Sequence, residues 1–148
     1  MQKLKKTTEV VEPKEWSKEY LDYVQEFIKV ENEEESSIQK LKSKMFALSR
    51  KMKHYLRSEE VTEIQTTGDF LQKYMSAFKK FEGITQKQLA EYWGVSTSNL
   101  RKYVTGERPL SPTLIYKMAT TFETSPKLWL DIQSKNQLFK KFFLYYII

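Results

Sequence analysis

The sequence predicts an all-α protein, an N-terminal helical hairpin followed by a domain of five shorter helices. Three observations predict it. No strand-like alternation and no hairpin-turn signal occurs anywhere in the 148 residues. Apolar residues instead recur at spacings of three and four, the helical period. Composition also shifts near residue 62. All four glycines, Gly68, Gly83, Gly94 and Gly106, lie beyond it, each at an expected helix boundary, whereas Pro13 is the only proline before it. The expected division is therefore 1–62 and 63–148.

In the first region, apolar residues fall at Trp16, Tyr20, Tyr23, Phe27 and Val30, then at Ile38, Leu41, Met45, Leu48, Met52 and Tyr55. Each set is a short heptad seam. The run ENEEES between them reads as a turn, with Ser36 and Gln39 forming a capping box for the second helix. The charges are segregated. Residues 1–35 hold six lysines against ten acids, a net −4, and residues 36–58 hold seven cations and no acid, a net +7. A hairpin would bring the two signs together. Such a hairpin serves self-packing or dimerisation, or its basic helix also touches DNA phosphate.

In the second region the first helix is expected over about 69–80, with Phe70, Leu71, Tyr74 and Phe78 inward. Thr85, with Gln88 three residues on, caps the next. A third runs over about 97–105 to Gly106. Ser111-Pro112 and Ser125-Pro126 each set a cap residue before a proline at the first helical position, opening helices at about 112–122 and 126–140. Trp129, with Leu128 and Ile132, reads as core or dimer interface. Leu138, Phe139, Phe142, Phe143 and Tyr146 continue an apolar stripe into the tail. It is expected to pack on the N-terminal helices or a second subunit, with a short β segment as the alternative.

With 40% hydrophobic residues a packed core is feasible. A net charge of +6 and a pI of about 9.3 suit a polyanionic partner. The absence of cysteine excludes disulfides, zinc fingers and thiol catalysis, and fits a reducing cytoplasm. MQKLKK resembles the charged start of a signal peptide, but TTEVVEPKEW supplies no apolar core behind it. The apolar run at residues 142–148 is far shorter than the roughly 20 residues of a membrane-spanning helix. A cytoplasmic protein without membrane association is expected. His54, the single histidine, has cationic neighbours and no cluster of metal-ligand spacing. No metal, cofactor or catalytic site is expected, and the chain does not read as an enzyme.

The segment from Thr85 to Gly106, TQKQLAEYWGVSTSNLRKYVTG, reads as a helix-turn-helix. Leu89 and Trp93 face inward, Ala90 admits a close crossing, and Gly94 takes the left-handed turn. Val95, Leu100 and Tyr103 anchor the second helix. Thr97, Ser98, Asn99, Arg101 and Lys102 are left outside, polar or cationic and none acidic. Short polar side chains at the start of such a helix are what the major groove accepts. These five are the candidate base readers. Asn99 suits adenine, and Arg101 or Lys102 suits guanine. Gln86, Lys87, Ser96 and Arg108 are the candidate phosphate contacts, Gln86 and Lys87 at a positive helix start.

GITQKQLAEYWGVSTSNLRKYVTGERPLSP, with SPKLWLDIQ at 125–133, resembles the Cro/C1-type (Xre) phage-repressor superfamily and its lambda-repressor-like fold. Over residues 68–137 the chain is most similar to HigA-type antitoxins within it. The resemblance implies a homodimer on a palindromic double-stranded operator, autorepression of its own operon, and neutralisation of a RelE-like ribonuclease toxin. It sets base reading on Thr97, Ser98 and Lys102, and backbone contact on Gln86. The recognition helix, TSNLRKYV, carries its own sequence, so family operators do not transfer. The extension of about 60 residues is absent from ordinary compact antitoxins and suits a dimer arm, a toxin-binding element or a ligand sensor. Two alternatives stand beside the antitoxin: a stand-alone phage-type regulator, and a protein-interaction module that binds its partner through the N-terminal helices.

Overall fold

The computed structural model describes the backbone of residues 17–60 and 63–147, and their side chains apart from 27–35 and 143–147. Its helices are α1 (Lys18–Arg57), α2 (Thr67–Glu82), α3 (Gln86–Trp93), α4 (Thr97–Thr105), α5 (Pro112–Thr121) and α6 (Pro126–Ile147). No strand occurs among the described residues. The fold is all-α, and α2–α6 are the five helices expected after residue 63. Trp16 lies outside the described residues, as do the side chains of Phe27, Val30, Phe143 and Tyr146.

The N-terminal hairpin is overturned. Residues 18–57 form one helix, with no turn at ENEEES. The run contains neither glycine nor proline, and glutamate is a good helix former, so nothing in it stops the helix. Ser36 is therefore an interior residue and not a cap. The division at residue 62 moves as well. One compact unit extends to Ser36 and the other is Ser37–Ile148. The first unit begins its helix at Ser17, whose hydroxyl accepts from the Tyr20 amide at 3.3 Å. Tyr20, Leu21 and Tyr23 on it are exposed.

In the second unit, residues 37–57 of α1 belong to the same core as α2–α6. Leu41, Met45, Leu48, Met52 and Tyr55 are all buried in it, whereas Ile38, expected in the same seam, is 49% exposed. Aromatic rings fill the centre. Tyr74 stacks on Phe122 at 4.6 Å, and Trp93 meets Phe122 edge-on at 5.5 Å. Trp129 is fully buried beside them, core as its spacing suggested. The indole N–H of Trp93 donates to Thr121 Oγ1 at 2.9 Å and that of Trp129 to Thr124 Oγ1 at 2.8 Å. Large apolar bodies are thus buried without an orphaned donor. The Tyr74 hydroxyl reaches the Met45 carbonyl at 3.3 Å. Burial pushes its pKa well above the ordinary tyrosine value.

Polar side chains tie α6 to the end of α1. The Lys135 ammonium donates to the carbonyls of Tyr55, Leu56 and Ser58, satisfying acceptors the helix end leaves open. The Tyr55 hydroxyl donates to Asn136 Oδ1, and Asn136 Nδ2 donates to the Gln65 carbonyl at 2.9 Å. Helix α6 runs on to Ile147, so the β alternative for the tail is not adopted. Of its apolar stripe, Phe139 is half-buried, and Leu138 and Phe142 are 57% and 58% exposed. Among the described residues no helix is long and apolar enough to cross a membrane.

Candidate nucleic-acid interface

The interface begins with α3. Thr85 caps it, its hydroxyl accepting from the Gln88 amide at 3.2 Å while Gln88 Oε1 accepts from the Thr85 amide at 2.9 Å. This is the capping box expected from the sequence. It leaves the amides of Gln86 and Lys87 at an open, positive helix end. At the other end Gly94, at φ 71°, takes the left-handed conformation that closes the helix. Its neighbour Val95 donates back to the Ala90 carbonyl at 3.0 Å. Helix α5 fixes this turn from below, because Lys117 Nζ donates to the Trp93 carbonyl at 2.9 Å.

Ser96 then opens α4, its hydroxyl accepting from the Asn99 amide at 3.1 Å. Leu100 is buried, and Tyr103 and Val104 pack half-buried against the core. The far end of α4 rests on the first turn of α2. A Cβ at Gly68 would fall 2.8 Å from the Tyr103 carbonyl oxygen and closer still to that of Val104. Gly68, expected at a helix boundary, is the second residue of α2, and close approach to α4 is the reason only glycine fits there.

On the outer side, Thr97, Ser98 and Arg101 are exposed, and Asn99 and Lys102 are half-buried. No acid lies on α4. The five candidate base readers therefore lie on one nine-residue helix. Of the candidate phosphate contacts, Gln86, Lys87, Ser96 and Arg108 are all exposed. Gln86 and Lys87 occupy the first turn of α3, and Ser96 the cap of α4. Arg108 lies beyond Gly106.

Two links escaped sequence reasoning. Gln86 Nε2 donates to Gln72 Oε1 on α2 at 3.2 Å, and Gln72 Nε2 in turn donates to Ser76 Oγ at 3.3 Å. The Gln86 side chain is thereby oriented from a neighbouring helix. With Lys79 and Lys87 these residues line a recess of about 460 Å³ that no acid enters. Arg108 Nη1 reaches Asn99 Oδ1 at 3.4 Å, joining a candidate phosphate contact to a candidate base reader. Its backbone amide also donates to the Lys102 carbonyl at 3.3 Å.

Two helices joined by a capped glycine turn, the second lying on the first and presenting an acid-free polar face, define a helix-turn-helix. Residues 82–129 match the family described as Helix-turn-helix. The match covers α3, α4, α5 and the first turn of α6, roughly a third of the chain, and supports a DNA-binding regulator. No curated protein and no solved structure matches the chain significantly.

Proposed function

We propose that the protein is a sequence-specific DNA-binding transcriptional repressor that reads a palindromic operator as a homodimer. The observation that carries the proposal is the outer face of α4. Thr97, Ser98, Asn99, Arg101 and Lys102 project from a helix whose start is capped by Ser96 and whose angle to α3 is set by Gly94 and Lys117. In this reading the N-terminal turn of α4 meets base edges, and Gln86, Lys87, Ser96 and Arg108 hold the flanking phosphates. Arg108 serves both ends of that division, because it also orients Asn99.

The narrower form is an autorepressing antitoxin, supported by the resemblance of residues 68–137 to HigA-type proteins. It adds a RelE-like ribonuclease as a second partner. One observation favours a protein partner independently of that resemblance. Tyr92 on α3 and Tyr116 on α5, 78% and 67% exposed, flank a recess of about 840 Å³ whose floor includes Ile84, Leu89 and Trp93. Exposed aromatic pairs of this kind are typical of interface anchors.

Selection of bound duplexes from a random pool tests the repressor reading. Enrichment of one sequence with twofold-related half-sites about one helical turn, or roughly 34–36 Å, apart is expected. A pool that remains random after successive rounds contradicts it. Co-expression with a ribonuclease encoded beside it tests the antitoxin form, which requires restored growth and a stable complex.

A further inference from the structure

Seven cations and no acid fall within residues 37–57, the part of α1 that packs in the second unit. The buried seam divides them. Lys40, Lys44 and Lys51 each directly precede a buried residue, Leu41, Met45 and Met52, whereas Lys42 and Lys53 each directly follow one. A helix turns by about 100° per residue, so the two sets lie on opposite flanks of the seam. On α2, Lys73 and Lys80 likewise precede Tyr74 and Phe81, which face the core. The two helices run antiparallel. Ser37 Oγ donates to the Phe81 carbonyl at 2.5 Å, the Tyr74 hydroxyl meets the Met45 carbonyl at 3.3 Å, and the rings of Tyr55 and Phe70 lie 6.3 Å apart. Facing antiparallel helices set these preceding flanks on the same side. Phe122 marks the opposite side, stacking on Tyr74 and lining a recess with Lys42 and Ser49. Lys40, Lys44, Lys51, Lys73 and Lys80 therefore share one surface, and all five are exposed.

Among the described residues the one ion pair is Lys127–Asp131, so none of the five is neutralised by a described acid. The acids of α2 turn elsewhere: Asp69 accepts from the Thr66 amide, and Glu82 lies 3.5 Å from the Ser37 hydroxyl. Lys73 Nζ sits 5.4 Å over the Phe70 ring and Lys80 Nζ 5.3 Å over that of Phe81, contacts that place an ammonium without cancelling its charge. One step further round α2, Gln72, Ser76 and Lys79 line the recess shared with Gln86 and Lys87. The cations thus continue from the start of α3, across α2, onto α1. The large exposed apolar residues Ile38 and Phe46 stand four residues either side of Lys42, on the other flank. Spaced ammonium groups without an aromatic anchor suit a polyanion rather than a protein surface.

We infer that this belt is a second phosphate-contacting surface, which takes the DNA flanking an operator half-site as it curves past α2 onto α1. The inference rests on the proposed reading of α4, because that reading brings the duplex to the start of α3. Lys44 and Lys51, like Lys73 and Lys80, are two helical turns apart, about 10.5 Å, the rise of about three base pairs. Both members of such a pair meet one DNA backbone. These contacts carry no sequence information. They lengthen the footprint and raise affinity for an operator set in longer DNA.

The test is the salt dependence of binding by the full-length protein to two duplexes. One is the operator alone, and the other extends it at each end by roughly 15 base pairs of random sequence, about one and a half helical turns. The wild type binds the extended duplex on the order of tenfold more tightly at low salt, with a steeper slope of log affinity against log salt. Lys40→Gln/Lys44→Gln/Lys51→Gln and, separately, Lys73→Gln/Lys80→Gln lose most of that gain. Their slope on the extended duplex becomes shallower by about one for each lysine removed. Both keep the wild-type affinity for the operator alone. All five positions are exposed, so the variants also keep the wild-type circular dichroism melt. Lys42→Gln/Lys53→Gln, on the other flank, retains the gain, which separates a built surface from net charge. Equal affinity and slope of the wild type on both duplexes overturns the inference, as does an equal loss in the Lys42/Lys53 variant. A gain that survives in both belt variants overturns it as well, and leaves the face to an acidic protein surface. Failure of the α4 reading gives a different result, no preference for the operator over a shuffled duplex of equal length. The short and extended duplexes are therefore compared in shuffled sequence too, where the belt alone changes the slope.

Discussion

At the scale of single residues the proposed function separates positioning from reading. Gln86 is oriented by Gln72, and Asn99 by Arg108, so two candidate contacts are fixed before any partner arrives. Preorganised side chains lose less freedom on binding. Gln86→Ala, Lys87→Ala and Arg108→Ala are each expected to lower affinity on every duplex alike. For the two cationic residues the slope of log affinity against log salt should become shallower by about one. Fluorescence anisotropy over a salt series measures both, and a loss confined to one sequence would reassign the residue to base reading. The buried Tyr74 gives a second prediction. Its folded pKa is raised above the ordinary 10.0, and burial is the cause. Its contribution is therefore fully present below pH 10 and is lost as pH rises further, because the unfolded chain ionises first. Unfolding free energy should fall above pH 10 in the wild type, and more gently in Tyr74→Phe; identical alkaline profiles would disprove the assignment. The caps Thr85 and Ser111 were legible in the sequence because each bonds an amide three residues away. The Gln72–Gln86 and Asn99–Arg108 links were not, since each depends on how two elements meet.

At the scale of elements the determining contact is α2 against α4. Gly68 brings the two backbones together, and the carbonyls of Tyr103 and Val104 occupy the space any side chain would need. Gly68→Ala should destabilise the fold by about 1–3 kcal/mol by overpacking and should also lower DNA affinity, because α4 must shift. Gly83→Ala is the comparison. It meets nothing within 4 Å but strains a left-handed residue at φ 68°, so it should cost about 1–2 kcal/mol of stability with affinity preserved at temperatures where the protein is folded. Thermal melts with binding at low temperature distinguish the two, and equal affinities would show that α4 tolerates the displacement. Gly83, Gly94 and Gly106 were readable as helix ends, all three having positive φ. Gly68 looked the same in the sequence but serves close approach. Helix α1 was misread for a related reason: a run of acids resembles a solvated turn, yet only glycine, proline or a competing cap ends a helix, and ENEEES offers none that wins.

At the scale of the whole molecule, α1 belongs partly to the domain that carries α4. Removing residues 1–36 should leave unit Ser37–Ile148 folded with its cooperative melt. Removing residues 1–60 strips Leu41, Met45, Leu48, Met52 and Tyr55 from the core. At about 1.5–3 kcal/mol for each buried side chain, that loss matches the entire stability of an ordinary domain. The longer truncation should not fold, and a native-like melt for it would show that the core closes without α1. The seam of the second expected helix was legible as apolar spacing, but its partner was not, because a heptad pattern does not say against which element it packs. The helix-turn-helix was the most legible part, since the Thr85 cap, the glycine turn and the polar face all lie within about twenty consecutive residues. The central claim is that this face reads sequence. Its most direct test is affinity for the selected operator against a shuffled duplex of equal length and charge, for the wild type and for Ser98→Ala and Lys102→Ala. The account predicts a marked operator preference in the wild type, and a loss of about 1–3 kcal/mol of that preference in each variant, with affinity for the shuffled duplex changed far less. Equal affinity of the wild type for both duplexes, or an unchanged preference in both variants, would contradict it.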